Sequence, residues 1–301
     1  MASITIWLGE LRLAFLTASV MPVLLGTAIA RHEAGSIDWL LFALTLAGAV
    51  LLHIGTNVAN DYFDHRSGTD PANTRFVRPF TGGSRLIQEG LISPGAVLAT
   101  SICFFAAGLG IGIVLAVLRG PLVLLFGVVG LVSGYFYTAP PLRLAHRGLG
   151  ELTVGANFGL LIVMGTYYVQ MGRISAESIV ASLPLACLIA AVIIINEFQD
   201  SAADGAAGKR TLVVRLGTQR AVVLFGAVSL LAYVPIIAGA ATRLLPPPTL
   251  IGLATIPLVV RAIRTAGRHH DASRELAPAN ASTILSHLCT GILLTVGYLL
   301  A

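Results

Sequence analysis

Apolar runs of roughly 20 residues, the length a helix needs to cross a bilayer, recur along the whole chain. The pattern predicts nine spans, at about 12–31, 38–60, 96–118, 121–138, 150–170, 178–199, 220–241, 249–264 and 281–301. The short alternating segments that build membrane barrels are missing from the sequence. The predicted fold class is therefore all-α, a polytopic membrane bundle of nine transmembrane helices. Four connecting loops are short: "RHEAGSID", "RG", "MGRISAE" and "TRLLPPP". Loops two and six are long and rich in charge. The frequent Gly (32) and Pro (14) suit helices that pack closely in lipid.

Composition strengthens this picture. Of 301 residues, 56% are hydrophobic and 11% charged, against about 25% charged in a soluble domain. Mean hydropathy is +0.86. The net charge of +5 is read as loops facing an anionic leaflet rather than a nucleic-acid surface. The distribution of basic residues agrees. Arg12 and the even-numbered loops hold 15 Lys and Arg, and the odd-numbered loops hold 4. The positive-inside rule then expects the N-terminus and even loops in the cytoplasm and the C-terminus outside, in an integral protein of the cytoplasmic membrane. Cys103, Cys187 and Cys289 lie inside apolar runs without CxxC spacing, the pattern of small buried hydrophobes. "TAIA" at 27–30 resembles a signal cleavage site. The basic start of a signal peptide is lacking, so the first run is expected to be retained.

Two spans end in matched acidic segments. "NVANDYFD" (57–64) closes the second, and "NEFQDSAAD" (196–204) closes the sixth, 139 residues later. Four spans restore the direction of the chain, so both ends are expected on one membrane face. Residues 1–301 then read as one domain of two pseudo-repeated halves, with motifs at 57–70 and 196–211. Residues i and i+4 share a helix face, so Asn57, Asp61 and Asp64 form one stripe, and Asn196, Asp200 and Asp204 another. Clustered carboxylates repel, and the partial negative charge of a helix C-terminus adds to the repulsion. A cation is needed between them. Oxygen-only donors suit Mg2+, which takes one or two carboxylates, keeps waters and completes its shell with substrate phosphates. Asn60 and Asp70 are weaker members of the set. Arg78, Arg85, Lys209 and Arg210 are candidates to hold the rest of a diphosphate. Solvated loop aspartates would explain one such helix end, but not two matched ones. A cation-transport path is the rival from another class. Against it, the carboxylates gather at one face and the spans carry no acidic ladder.

"NDYFDHRSGTD" resembles the first aspartate-rich motif of the UbiA superfamily of intramembrane prenyltransferases, and "NEFQDSAADGAAGKRTLVVRLG" resembles its second. "YTAPPLRLAHRGLGE" (137–151) resembles the segment between them. "PFTGGSRLIQEGLISP" and "GTYYVQMG" are similar to the branch that prenylates 1,4-dihydroxy-2-naphthoate in menaquinone synthesis. The resemblance covers nearly the whole chain, in order. Two departures bear on the acceptor. "NEFQD" stands where that branch commonly has N-N-x-R-D, and Arg78–Pro79 is similar to the 4-hydroxybenzoate branch.

The resemblance implies a nine-helix bundle around a central cavity open to lipid. It implies Mg2+-dependent transfer of a polyprenyl group from polyprenyl diphosphate to an aromatic acceptor. The expected acceptor is 1,4-dihydroxy-2-naphthoate, with loss of CO2 at the substituted carbon; 4-hydroxybenzoate or another phenol is the alternative. Asp61, Asp64, Asp200, Asp204 and Lys209 are then the expected catalytic set, with the two Asn–Asp stripes as metal ligands. Arg78, Arg85, Arg143 and Lys209 are expected on the diphosphate or the acceptor carboxylate. Arg147 is expected there too, or paired at i, i+4 with Glu151. Aromatic faces stabilise cations, for which Tyr135, Tyr137, Tyr167 and Tyr168 are candidates, although interface belts use such residues as well. His53, Asn157 and Gln170 are expected at the cavity or between helices.

Overall fold

The structure, a computed structural model, describes residues 3–301, and among these all regular structure is helical. A short helix α1 (Ile4–Glu10) precedes the first crossing. It is followed by α2 (Thr17–Ala34), α3 (Trp39–Ser67), the one-turn α4 (Thr69–Ala72), α5 (Pro94–Arg119) and α6 (Leu122–Tyr135). The second half holds α7 (Gly150–Met171), α8 (Ala176–Ala206), the short α9 (Leu212–Leu216), α10 (Thr218–Ala241), α11 (Pro247–His269) and α12 (Ala277–Leu299).

Eight helices are long and apolar enough to cross a membrane, and α6, with 14 residues, is a ninth, shorter apolar helix. At 1.5 Å per residue α6 reaches about 21 Å, less than a ~30 Å hydrocarbon layer. The predicted spans are thus found in order, as eight full crossings and one short one, in an integral membrane protein. Two ends differ. Helix α3 runs to Ser67 rather than 60, and α8 to Ala206 rather than 199. A helix continues past the apolar layer wherever one face stays buried. What stops α3 is Gly68, in the left-handed conformation at φ 85°. Helix starts follow their caps: Asp38 accepts from Leu41 N–H at 3.0 Å, Ser93 from Ala96 N–H at 3.3 Å, and Ser175 and Ser178 form a capping box.

Lipid supplies no hydrophobic drive between helices, so close backbone approach must do the work. Small residues provide it. A Cβ on Gly26 of α2 would meet the Val163 carbonyl at 2.6 Å, and one on Gly159 of α7 would meet Ala186 Cα at 2.3 Å. Leu25, Tyr167, Leu188, Ile236 and Leu294 knit α2, α7, α8, α10 and α12 into one buried cluster. Helix α12 packs back on α2. The side formed by α3, α5, α6 and α7 is less filled, and the cavities lie there.

Candidate active site

The last turns of α3 and α8 face one another across a chamber of about 200 Å3. Asn57, Asn60 and Asp64 line it from α3, and Asn196, Glu197, Asp200 and Asp204 from α8. Spacings of three and four residues put each set on one helix face. Lys209, just beyond α8, joins the two: its Nζ lies 3.3 Å from Asp64 Oδ2 and 3.4 Å from Asp204 Oδ1. Burial alone would push this ammonium down, but Asp204 and Asp64 more than offset it and hold Lys209 charged. Asn73 adds a second tie, its Nδ2 donating to Asp200 Oδ1 at 2.6 Å.

Residues 73–93 fold over this chamber, which Thr81, Gly82 and Gly83 line. Gly83 sits at φ +68°, and a Cβ there would lie 2.9 Å from Asp61 Oδ1 and 3.0 Å from Asp70 Oδ2. Only glycine lets the backbone come so near two carboxyls. Asp61 stands behind the chamber wall rather than in it. It is buried, accepts from Ser84 N–H at 2.9 Å, and lies 3.7 Å from Arg12 Nη1. Asp70, from α4, does line the chamber. Burial, then Asp64 and Asp61, push its carboxyl up to about 9, so it holds a proton at neutral pH.

The chamber lining is therefore acid-rich: Asp64, Asp70, Glu197, Asp200 and Asp204 against Arg12 and Lys209. Among the described residues, buried Asp64 Oδ1 and Asn60 Oδ1 have no hydrogen-bond partner. Oxygen donors left without partners in a site short of positive charge fit a hard divalent cation. Among the described residues no three His, Cys, Asp or Glu side chains converge as a protein-only metal cage would.

A second space of about 150 Å3 adjoins the chamber, lined almost entirely by apolar residues of α3, α5, α6 and α7. His53, Thr56, Gly134, Asn157 and Phe158 line both spaces and mark the junction. His53 is fixed there by Ser19 Oγ, 2.7 Å from Nδ1, and by edge-to-face packing on Phe158. Glycines 48, 108, 112, 127, 130, 134 and 165 hollow out the groove. It reaches the lipid-facing surface at Leu109.

Of the residues expected at the site, Asn57, Asn60, Asp64, Tyr137, Asn196, Asp200, Asp204 and Lys209 line the chamber, with His53 and Asn157 at its mouth. Six expected substrate contacts lie outside the chamber lining. Arg78 is exposed and pairs with Glu89. Arg85 donates to the Asp70 and Asn73 carbonyls at 2.5 and 3.3 Å, so it holds the covering loop. Arg143 is exposed. Arg147 donates to the Pro141 carbonyl at 3.1 Å rather than to Glu151, whose buried Oε1 accepts from Leu212 N–H at 2.8 Å. Tyr167 donates to Glu33 and Gln170 bonds the Asp38 backbone. Both lie on the far end of α7, about 25–30 Å along the helix from Gly150 at 1.5 Å per residue. The hydroxyl of Tyr168 is also at that end, donating to the Arg119 carbonyl at 3.1 Å, while Tyr135 packs on Phe63. Arg210 is exposed.

Sequence reasoning missed Arg12, Asn73, Thr81, Glu197 and Asn280. Arg12 was weighed only as a topology marker, although it lines the chamber. Glu197 was visible beside Asn196 in the second motif. Asn280, fully buried in α12, donates to Asn196 Oδ1 at 2.8 Å; a lone Asn in an apolar span was its one signal.

Residues 19–284 match the UbiA prenyltransferase family. The chain is 33% identical to a 1,4-dihydroxy-2-naphthoate octaprenyltransferase of Mycobacterium tuberculosis, over 96% of this chain and 94% of that protein. It is 29% identical to the enzyme of that name from Bacillus subtilis, over 95% and 89%. Among solved structures, a UbiA homolog from Archaeoglobus fulgidus bound to DMAPP and Mg2+ superposes with a TM-score of 0.66 at 15% identity, over 96% of this chain and 99% of that one. The apo structure of a UbiA homolog from Aeropyrum pernix K1 gives 0.66 at 17% identity, over 95% and 97%. At such identities these two speak to the fold alone. The helical bundle, the paired acidic helix ends and the extent of the match lead to one conclusion: the chain belongs to the UbiA prenyltransferase family and is an integral-membrane prenyltransferase.

Proposed function

We propose that the protein transfers a polyprenyl group from polyprenyl diphosphate to 1,4-dihydroxy-2-naphthoate, in menaquinone synthesis. The observation that carries this reading is the junction of an acid-rich chamber with an apolar groove at His53 and Phe158. A molecule with an anionic head and a long apolar tail fits both spaces at once. The names of the Mycobacterium tuberculosis and Bacillus subtilis relatives support the naphthoate as acceptor.

Asp64, Asp200 and Asp204, with Asn57, Asn60 and Asn196, would hold Mg2+, with Asp61 and the protonated Asp70 beside them. When bound, the metal neutralises charge on the leaving diphosphate oxygens. Lys209 adds a fixed positive charge at the same place, already oriented by two carboxylates. The allylic C–O bond breaks and its electron pair leaves with diphosphate. A ring carbon of the acceptor supplies the pair for the new C–C bond, and the carboxylate on that carbon departs as CO2. Residues 73–93 cover the chamber and keep water from the allylic cation. Tyr137 and Phe158 offer aromatic faces in the lining. Arg12 is the cation in the lining besides Lys209 and is the partner available to the acceptor carboxylate. The chamber faces the cytoplasm of the inner membrane in this reading, and the chain is one domain of two related halves.

Purified protein with Mg2+ and a polyprenyl diphosphate should prenylate dihydroxynaphthoate with a higher kcat/KM than 4-hydroxybenzoate, and EDTA should stop turnover until Mg2+ is restored. A higher kcat/KM for 4-hydroxybenzoate would move the enzyme to the other branch.

A further inference from the structure

Helix α11 divides its outward face into an apolar half and a basic half. Its first nine residues, Pro247–Thr255, are wound as a 3-10 helix, which rises about 2.0 Å per residue. Residues 256–260 continue at about 1.5 Å each. Together they climb about 25 Å, most of a ~30 Å hydrocarbon layer. The outward positions along this stretch, Ile251, Ala254 and Pro257, are exposed and uncharged. The next ones are Arg261, Arg264 and Arg268, all exposed. Spacings of three and four place the arginines on one stripe, opposite the buried Val259, Ala262 and Ala266. From Arg261 to Arg268 the helix rises about 10 Å at 1.5 Å per residue, through the depth where lipid headgroups sit.

No ion pair or side-chain hydrogen bond engages these three arginines among the described residues. The acid closest in sequence, Asp271, accepts from Thr218 at 2.6 Å and lies 3.1 Å from His270. Arg220, exposed at the start of the adjoining α10, adds more positive charge rather than relieving it. Like charges stacked at these spacings repel. Among the described residues no ion pair neutralises them, and the climb of α11 leads them toward the level expected for lipid phosphates.

We propose that the Arg261–Arg264–Arg268 stripe is a docking surface for anionic phospholipid headgroups. The partner follows from charge and position: a guanidinium row at headgroup depth, on a face whose deeper half is apolar, matches a molecule with a phosphate head and acyl tails.

The test is lipid binding to the full chain in neutral detergent, read by native mass spectrometry with phosphatidylglycerol or phosphatidylcholine. Wild type should retain phosphatidylglycerol preferentially, and each arginine replaced by Gln should weaken that retention by roughly fivefold. The triple Lys variant should keep the preference, and Arg31→Gln, at the opposite membrane face, should not alter it. A triple Gln variant that keeps the wild-type preference would overturn the proposal. So would glycerol 3-phosphate displacing the lipid at equal concentration, since a free anion would then suffice. Single Gln variants serve if the triple variant does not fold: graded loss supports the surface, and unchanged retention removes it. Prenyl transfer measured in phosphatidylcholine should be unchanged in the single variants, because none of these arginines lines the chamber.

Discussion

At Lys209 two carboxylates from different helices converge on one ammonium, so the residue is both a fixed charge and a strut. Its replacement by Met would leave Asp64 and Asp204 buried without a counter-charge. Lys209→Met and Asp200→Ala are each expected to cut turnover by about 10²–10³-fold, the usual cost of removing one preorganised charge from a transition state. Membrane insertion should be unaffected. Wild-type turnover in either variant would remove the chamber from the chemistry. A different effect belongs to Glu10. It is buried in α1, accepts from Ser84 Oγ at 2.6 Å, and is pushed up from 4.5 to about 7, first by burial and then by Asp61. A carboxyl raised in the fold favours folding while it is protonated. That contribution is whole below about pH 4.5 and is lost as pH rises through about 7. Thermal unfolding in EDTA should show wild type losing stability relative to Glu10→Gln across that window; parallel curves would refute it.

Among the elements, the covering segment 73–93 matters as much as the helices. It comes close to the site at Gly83, where the backbone is left-handed and the carboxyls of Asp61 and Asp70 leave no room for a methyl. Gly83→Ala should cost about 1–2 kcal/mol in backbone strain alone. It should also lift the segment, so that activity falls more than stability and Mg2+ gives a smaller upward shift in Tm than in wild type. An equal metal-induced shift in both proteins would show that the segment does not need this contact. The contrast with the long helices explains what the sequence could tell. The crossings announce themselves by 20-residue apolar runs, and Asn57–Asp64 and Asn196–Asp204 by their spacing, because a helix converts spacing directly into a shared face. Residues 73–93 have no such period. Arg78 and Arg85 therefore looked like ligands, when one pairs with Glu89 and the other braces carbonyls of Asp70 and Asn73. Tyr167 and Gln170 misled for another reason: a motif's similarity carries no depth coordinate, and α7 takes them to the opposite face.

For the molecule as a whole, sidedness follows from charge. A reporter fused after Ala301 should read as external and one inserted near Gly208 as cytoplasmic; the reverse would turn the chamber outward. Glu197 and Asn280 belong to this scale too, since their roles depend on which helices meet, and only the assembled bundle shows that α12 delivers Asn280 to Asn196. The groove that surfaces at Leu109 has a kinetic consequence. A substrate arriving sideways through that opening is sampled from two dimensions rather than three. Turnover should then track its mole fraction among the surrounding lipids: adding inert bilayer at constant total substrate should slow the enzyme, while diluting the whole suspension with buffer should leave the rate per enzyme unchanged.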